Sequence, residues 1–228
     1  MTDNDTSRTS RRAVLLAAGS AGIAALGTAC GSGRTEVRGA AGQQTPGGST
    51  PGCVLTTQAS EGPYYLDLKR NRSDITEGQG GVPLRLDLTV VRVSAGCRPL
   101  ADAAIDVWHA DAAGEYSEGK HTYLRGTQVT DRTGRCVFRT IVPGWYAGLA
   151  PHIHFKVRPD RRSTVTSQFF FPEDLLLGVY ARDPYARRKA PQHPNERDDR
   201  YRASGRSMTL ALAPDGSGYR AAYTVGIA

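Results

Sequence analysis

The sequence predicts an all-β fold, an antiparallel β-sandwich with long loops and little helix. Three observations lead there. Beyond residue 52 the chain is built from short runs in which apolar and polar residues alternate. Turn residues (Gly, Pro, Asp, Ser) separate these runs. One stretch alone, "PEDLLLGVYA" (172–181), has helical character, and no internal repeat is present.

The elements follow in order. "VPLRLDLTVVRV" (82–93) alternates with period two, the mark of a half-buried strand. "SAGCRPLADA" then makes a turn into the strand "AIDVWHA" (104–110). "GTQVTDRTGRCVFRTIV" (126–142) reads as a hairpin with Asp131 to Gly134 at its tip and Cys136 and Phe138 on one face. "HIHFKVRP", "TSQFFFP", "MTLALAPDG" and "YRAAYTVGI" continue the series. A long polar loop follows the helical stretch.

The N-terminus has a different character. Arg11 and Arg12 precede an uncharged stretch from Ala13 to Ala29 that has no polar face, so it does not read as an amphipathic helix. The pattern is that of a twin-arginine export signal over residues 1–30. Cys30 stands where a lipid-modified cysteine would, but Gly27 replaces the usual larger aliphatic residue and Leu26 comes one place early. A secreted protein and a cell-surface lipoprotein anchored at Cys30 are both compatible. Residues 31–52, rich in Gly, Ser and Pro, read as a flexible linker, leaving 53–228 as the folded domain.

Export would place Cys53, Cys97 and Cys136 in an oxidising compartment. Three cysteines allow one internal disulfide and leave one thiol; the three pairings are equivalent at this level. Their spacing makes no zinc site. The formal charge of +7 comes from dispersed arginines, densest in "YARRKAPQHPNERDDRYR", where acids are interspersed. That is a solvated face or an attraction to anionic polymers, without the basic stripe interleaved with aromatics that nucleic-acid binding uses.

The chemistry concentrates in "PGWYAGLAPHIHFKV" (143–157). On a strand, His152 and His154 project to one face and Ile153 to the other. Two adjacent imidazoles can share a hydrogen-bonded core, or they can hold a metal whose other ligands come from elsewhere. "DVWHADAAGEYS" (106–117) supplies a candidate, Tyr116, on a glycine-containing loop at a strand end. His109 and His121 lie near it in sequence and read as surface or supporting residues.

Taken together, "DVWHADAAGEYS", "PGWY" and "HIH" resemble the intradiol ring-cleavage dioxygenases, the catechol and protocatechuate dioxygenase superfamily. The resemblance runs from "CVLTTQASEGPYYLD" to "TSQFFFPEDL" and more loosely to the C-terminus. It implies one non-haem Fe(III) per chain, held by Tyr116, Tyr146, His152 and His154. The family's first tyrosine lies eight residues after a tryptophan, as Tyr116 does after Trp108; the second lies in P-x-x-Y, as Pro143 and Tyr146 do. Phenolates are hard, anionic donors suited to a ferric ion.

The implied activity is opening of a catechol-type ring by O2 between its two hydroxylated carbons, giving a muconate-type diacid. Tyr146 would be the ligand that substrate displaces, and Gln168 a glutamine beside the substrate. Tyr64, Tyr65, Trp108 and Leu149 would line the pocket. Leu149 stands where members carry an arginine that stabilises developing negative charge, so either a nearby arginine such as Arg125 or Arg139 substitutes, or the enzyme is slow, or it prefers electron-rich substrates such as hydroxyquinols. The alternative is a non-catalytic, transthyretin-like β-sandwich binding module. The chain lacks the helical dimerisation segment of intracellular relatives, which favours a monomer, and the expected partners are a catechol and O2, with no nucleic acid.

Overall fold

A computed structural model describes residues 53–228 apart from 147, 161–163 and 189–192. The export signal, Cys30 and the linker lie outside the described residues. Among the described residues, nine strands and one α-helix follow in order: β1 (Pro83–Arg92), β2 (Arg98–Pro99), β3 (Ala104–Trp108), β4 (Arg125–Val129), β5 (Arg135–Ile141), β6 (His152–Arg158), β7 (Val165–Phe170), α1 (Glu173–Tyr180), β8 (Leu212–Asp215) and β9 (Gly218–Ile227). Pro172 precedes α1, which buries Leu176 and Val179. Among the described residues no helix is long and apolar enough to cross a membrane.

The strands form two sheets. One contains β2, β1, β9 and β8 in that order, with β5 also on β1; the other has the order β4-β3-β6-β7. Alternation in β1 turns Leu84, Leu86, Leu88 and Val90 inward. They join Ile105 and Val107 of β3 and Phe155 of β6 in a single buried apolar cluster fed by both sheets.

Two expectations need correction. The pairing is not wholly antiparallel, because β1 and β9 run parallel from Leu84↔Tyr219 to Arg92↔Ile227. The stretch 126–142 is not a hairpin either. Its turn is as expected, with Asp131 Oδ1 accepting from the Thr133 and Arg135 amides at 2.8 and 3.0 Å. Beyond it, β4 pairs with β3 and β5 pairs with β1, so the turn links the two sheets. Thr130 holds the crossing: its hydroxyl donates to Leu100 O at 2.7 Å and its amide to Ala103 O at 3.0 Å.

Of the three cysteines, Cys53 and Cys97 form the disulfide and Cys136 is free and buried. The bridge anchors an N-terminal strap that crosses the second sheet. Ala59 N donates to Thr166 O at 2.8 Å and Arg72 N to Thr127 O at 2.9 Å. The strap therefore covers the sheet's outer face, and residues there are buried although they point away from the core.

Candidate metal centre

On that outer face, one rung across the four-stranded sheet reads Arg125, Trp108, His154, Gln168, and His152 lies one step along β6. Same-rung residues on one face touch. Trp108 stacks on His154 at 4.9 Å between ring centroids and 5° between planes. His152 and His154, expected side by side, are 3% and 4% exposed.

Two loops bring the tyrosines to them. The loop after β3 carries Tyr116, and the turn after β5 carries Tyr146. They meet at glycines, because a Cβ on Gly144 would lie 2.3 Å from Ala112 O and one on Gly114 would lie 2.1 Å from Trp145 O. Gly144 N also donates to Asp111 O at 2.8 Å. The spacing of the two phenols is thus set by backbone contact.

The four polar atoms form a chain. Tyr116 and Tyr146 hydroxyls are 3.5 Å apart, Tyr146 Oη is 3.3 Å from His152 Nε2, and the two Nε2 atoms are 3.0 Å apart. His152 Nδ1 lies 2.7 Å from Ala150 O, which only accepts, so Nδ1 carries the proton and Nε2 presents a lone pair to the centre. The 3.0 Å contact is then a hydrogen bond with the proton on His154 Nε2, a proton that a metal ion would displace.

Burial holds His152 down to about 4 and pushes His154 well below its ordinary value, so both rings are neutral near pH 7. Burial likewise raises both phenols, Tyr116 most strongly, with Tyr146 beside it adding to the effect. Without a cation the phenols keep their protons; a trivalent ion would ionise them. Among the described residues no group of three or more His, Cys, Asp or Glu side chains could hold a metal. The two tyrosines are therefore what make this a four-donor set, and two phenols with two neutral imidazoles fit a hard ferric ion.

The remaining expected residues fall in distinct places. Tyr64 stacks on Tyr116 at 4.2 Å. Tyr64, Tyr116, Tyr123 and Tyr146 line an open cleft of about 470 Å³, with Glu115 and Glu118 also among its walls. Tyr65 is turned elsewhere: its hydroxyl donates to Asp106 Oδ2 at 2.7 Å and its ring packs on Trp108. Gln168, 1% exposed, backs onto the site: its Nε2 is 3.4 Å from His154 Nδ1 and 3.3 Å from Ser60 O. Its Oε1 is buried without a partner. Leu149 is half-buried and pairs back to Tyr146 O through its amide at 3.3 Å.

Of the two arginines offered as substitutes at Leu149, Arg139 is exposed on β5 in the other sheet, with its charge beside Asp74. Arg125 is close, its Cζ 5.8 Å from the Tyr116 ring centroid. It is occupied, however, donating to Ser117 Oγ, Ser117 O and Tyr64 O. His121 is exposed as a surface residue, whereas His109 is fully buried between Ala110 O and the Thr140 hydroxyl. Sequence reasoning missed Asp198 and Arg200, which come from the polar loop read as a solvated face. Asp198 is 2% exposed and accepts from Ala150 N at 2.8 Å.

Fold and site together define a mostly-β protein with a buried two-tyrosine, two-histidine donor set under an N-terminal strap. A family model described as "Dioxygenase" matches residues 60–204. The chain belongs to the intradiol ring-cleavage dioxygenases. It is similar to an intradiol ring-cleavage dioxygenase from Tetranychus urticae (27% identity, 77% of this chain and 94% of that one, TM-score 0.74). It is also similar to the dioxygenase domain of a dioxygenase–carbohydrate-binding protein fusion from the cellulolytic Streptomyces sp. SirexAA-E (27%, 76% and 98%, TM-score 0.62). A chlorocatechol 1,2-dioxygenase of Pseudomonas sp. strain P51 is 31% identical over 139 residues, 50% of this chain and 54% of its own length. The chain thus spans about half the length of the curated relatives it matches.

Proposed function

We propose that the chain is an exported Fe(III) enzyme that opens catechol-type rings between the hydroxylated carbons, working on plant-derived aromatics outside the cytoplasm. The observation that carries this reading is the convergence of Tyr116, Tyr146, His152 and His154, with both imidazoles held neutral by burial. Bound there, Fe(III) would supply the Lewis acidity that binds a catechol and makes its ring reactive toward O2. Export rests on Arg11, Arg12 and the uncharged stretch after them. The Streptomyces relative, whose partner module binds carbohydrate and whose source is cellulolytic, supports a setting of plant material. Nothing among the similar proteins favours the binding-module alternative.

The chain's own residues have separable parts in this chemistry. Ala150 O holds His152 in the tautomer that offers Nε2. Trp108, Tyr64 and the strap exclude water around His154 and Tyr116. Both phenols line the open cleft and Tyr146 is the more exposed, so its hydroxyl oxygen is the one placed to take up a proton as a catechol enters.

The test is spectroscopic. The purified protein should carry about one iron per chain and be burgundy from phenolate-to-Fe(III) charge transfer. Tyr116→Phe and Tyr146→Phe should each shift that band, while Tyr65→Phe, whose hydroxyl is committed to Asp106, should leave it unchanged. Colourless protein that cannot be loaded with iron would overturn the reading.

A further inference from the structure

Residues 198–201 curl against the His152 end of the site without contributing any of the four donors. Asp198 uses both carboxylate oxygens on backbone: Oδ2 accepts from Ala150 N and Oδ1 from Arg200 N, each at 2.8 Å. The same Ala150 accepts the His152 Nδ1 proton through its carbonyl at 2.7 Å. On the far flank, Tyr201 packs edge-on against Phe170 at 5.3 Å, and the Phe170 ring lies 5.9 Å from that of His152. Arg200 is thus fixed on both sides by residues that also fix a donor.

Its side chain is half-exposed, and its charge is felt at Tyr146, His152 and His154. Among the described residues its guanidinium has no hydrogen-bond or ion-pair partner. The neighbouring arginines differ: Arg202 pairs with Asp199, and Arg206 with Glu196 at 3.0 Å. The other cations near the site are occupied, Arg125 by Ser117 and the Tyr64 carbonyl and Lys156 by Glu61. Leu149, next to the clamped Ala150, brings no charge. A catechol bound through ionised oxygens brings negative charge beside these buried rings, and a planar, unpaired guanidinium is the donor suited to it.

We propose that Arg200, delivered by the Asp198–Ala150 clamp, is the residue that meets the negative charge of the bound catechol, doing from the C-terminal loop what no side chain at position 149 does. The inference rests on the ferric catechol reading above.

Iron-loaded full-length protein tests it through anaerobic catechol titration, read from the visible band, and steady-state kinetics at low and high salt. Arg200→Gln should keep the iron content and resting colour, yet weaken anaerobic binding and lower kcat/KM by roughly 10–100-fold. It should also flatten the salt dependence. Arg200→Lys should recover most of the loss, and Arg202→Gln should match the parent. Leu149→Arg should restore function in the Arg200→Gln background and add little alone. An iron-loaded Arg200→Gln that binds and turns over catechol within about twofold of the parent overturns the proposal, the expected effect being at least tenfold. So does one that loses activity only because it no longer holds iron, since its role is then structural. A colourless, iron-free parent protein removes the catechol reading itself, a distinct result.

Discussion

Gly144→Ala probes whether backbone contact sets the distance between the two phenols. A methyl at this position would sit 2.3 Å from Ala112 O and 2.8 Å from Asp111 O, whereas ordinary contact begins at 3.4 Å. The two loops must therefore part by about 1 Å, an overpacking strain of about 1–3 kcal/mol. Parting also breaks the 2.8 Å bond from Gly144 N to Asp111 O, worth about 1 kcal/mol. The total, about 2–4 kcal/mol, corresponds to a fall in Tm of roughly 5–15 °C for a domain of this size. Tyr146 lies two residues on, so the same movement pulls its hydroxyl away from Tyr116 and loosens the donor set. Thermal denaturation followed by circular dichroism, on metal-free and iron-loaded protein, measures the first effect; iron content and the visible band measure the second. Gly178→Ala is the control. It has open space in α1 and should be neutral or stabilising by about 0.5–1 kcal/mol. A Gly144→Ala protein with parental Tm and parental iron content would refute the reasoning.

Replacing Cys53 and Cys97 together by serine opens a loop of sequence separation 44, which should cost about 4 kcal/mol; denaturant titrations check it, with a lower extrapolated stability and a steeper slope from the less constrained unfolded chain. Cys136, buried and with its thiol pushed up to about 12 by that burial, should resist a thiol reagent in the native state and react only in denaturant, read on protein in which Cys30 is replaced by serine so that Cys136 is the one thiol left. Stability of the metal-free protein should fall as pH drops from 6.5 through 4, because burial holds His109 at about 4 while the unfolded chain takes up its proton near 6.5. The contribution is complete above pH 6.5, and because His152 and His154 are depressed in the same way, His109→Gln should lessen the slope in denaturant titrations between pH 7.5 and 4.5 without abolishing it.

The strands were legible in proportion to their alternation. β1 carries period two from Leu84 to Val90 and β6 through its whole length, and they are found where the pattern places them. The convergence of four polar side chains was legible in two ways: His-x-His on a strand fixes a shared face, whereas Tyr116 and Tyr146 were singled out only by the resemblance, through the Trp108–Tyr116 and Pro143–Tyr146 spacings. What was not legible is pairing. A turn such as Asp131–Gly134 reports that the chain reverses, but whether its arms then pair or join different sheets depends on Leu100 and Ala103, more than twenty residues away. The parallel partnership of β1 and β9 is equally non-local. Asp198 and Arg200 were hidden for a related reason: within a run of alternating charges, nothing local distinguishes a carboxylate that will clamp Ala150 from those that remain in water.

The parallel ladder between β1 and β9 bears on how the chain reaches this state. β1 lies inside its sheet, flanked by β2 and β5 on one side and β9 on the other, so one entire edge of the first long strand waits for the last. Loop-closure entropy makes so distant a pairing slow. During synthesis β1 can take β5 early, but it carries an unpaired apolar edge until β9 arrives, the kind of edge that recruits other chains. His152 and His154 sit on the other sheet, and Tyr116 and Tyr146 on the segments that follow β3 and β5; all of these are made before β9. The residues that would hold the metal are therefore made early, but the core beneath them is shared with β1 and β9, so the last strand of the chain decides when the fold is finished.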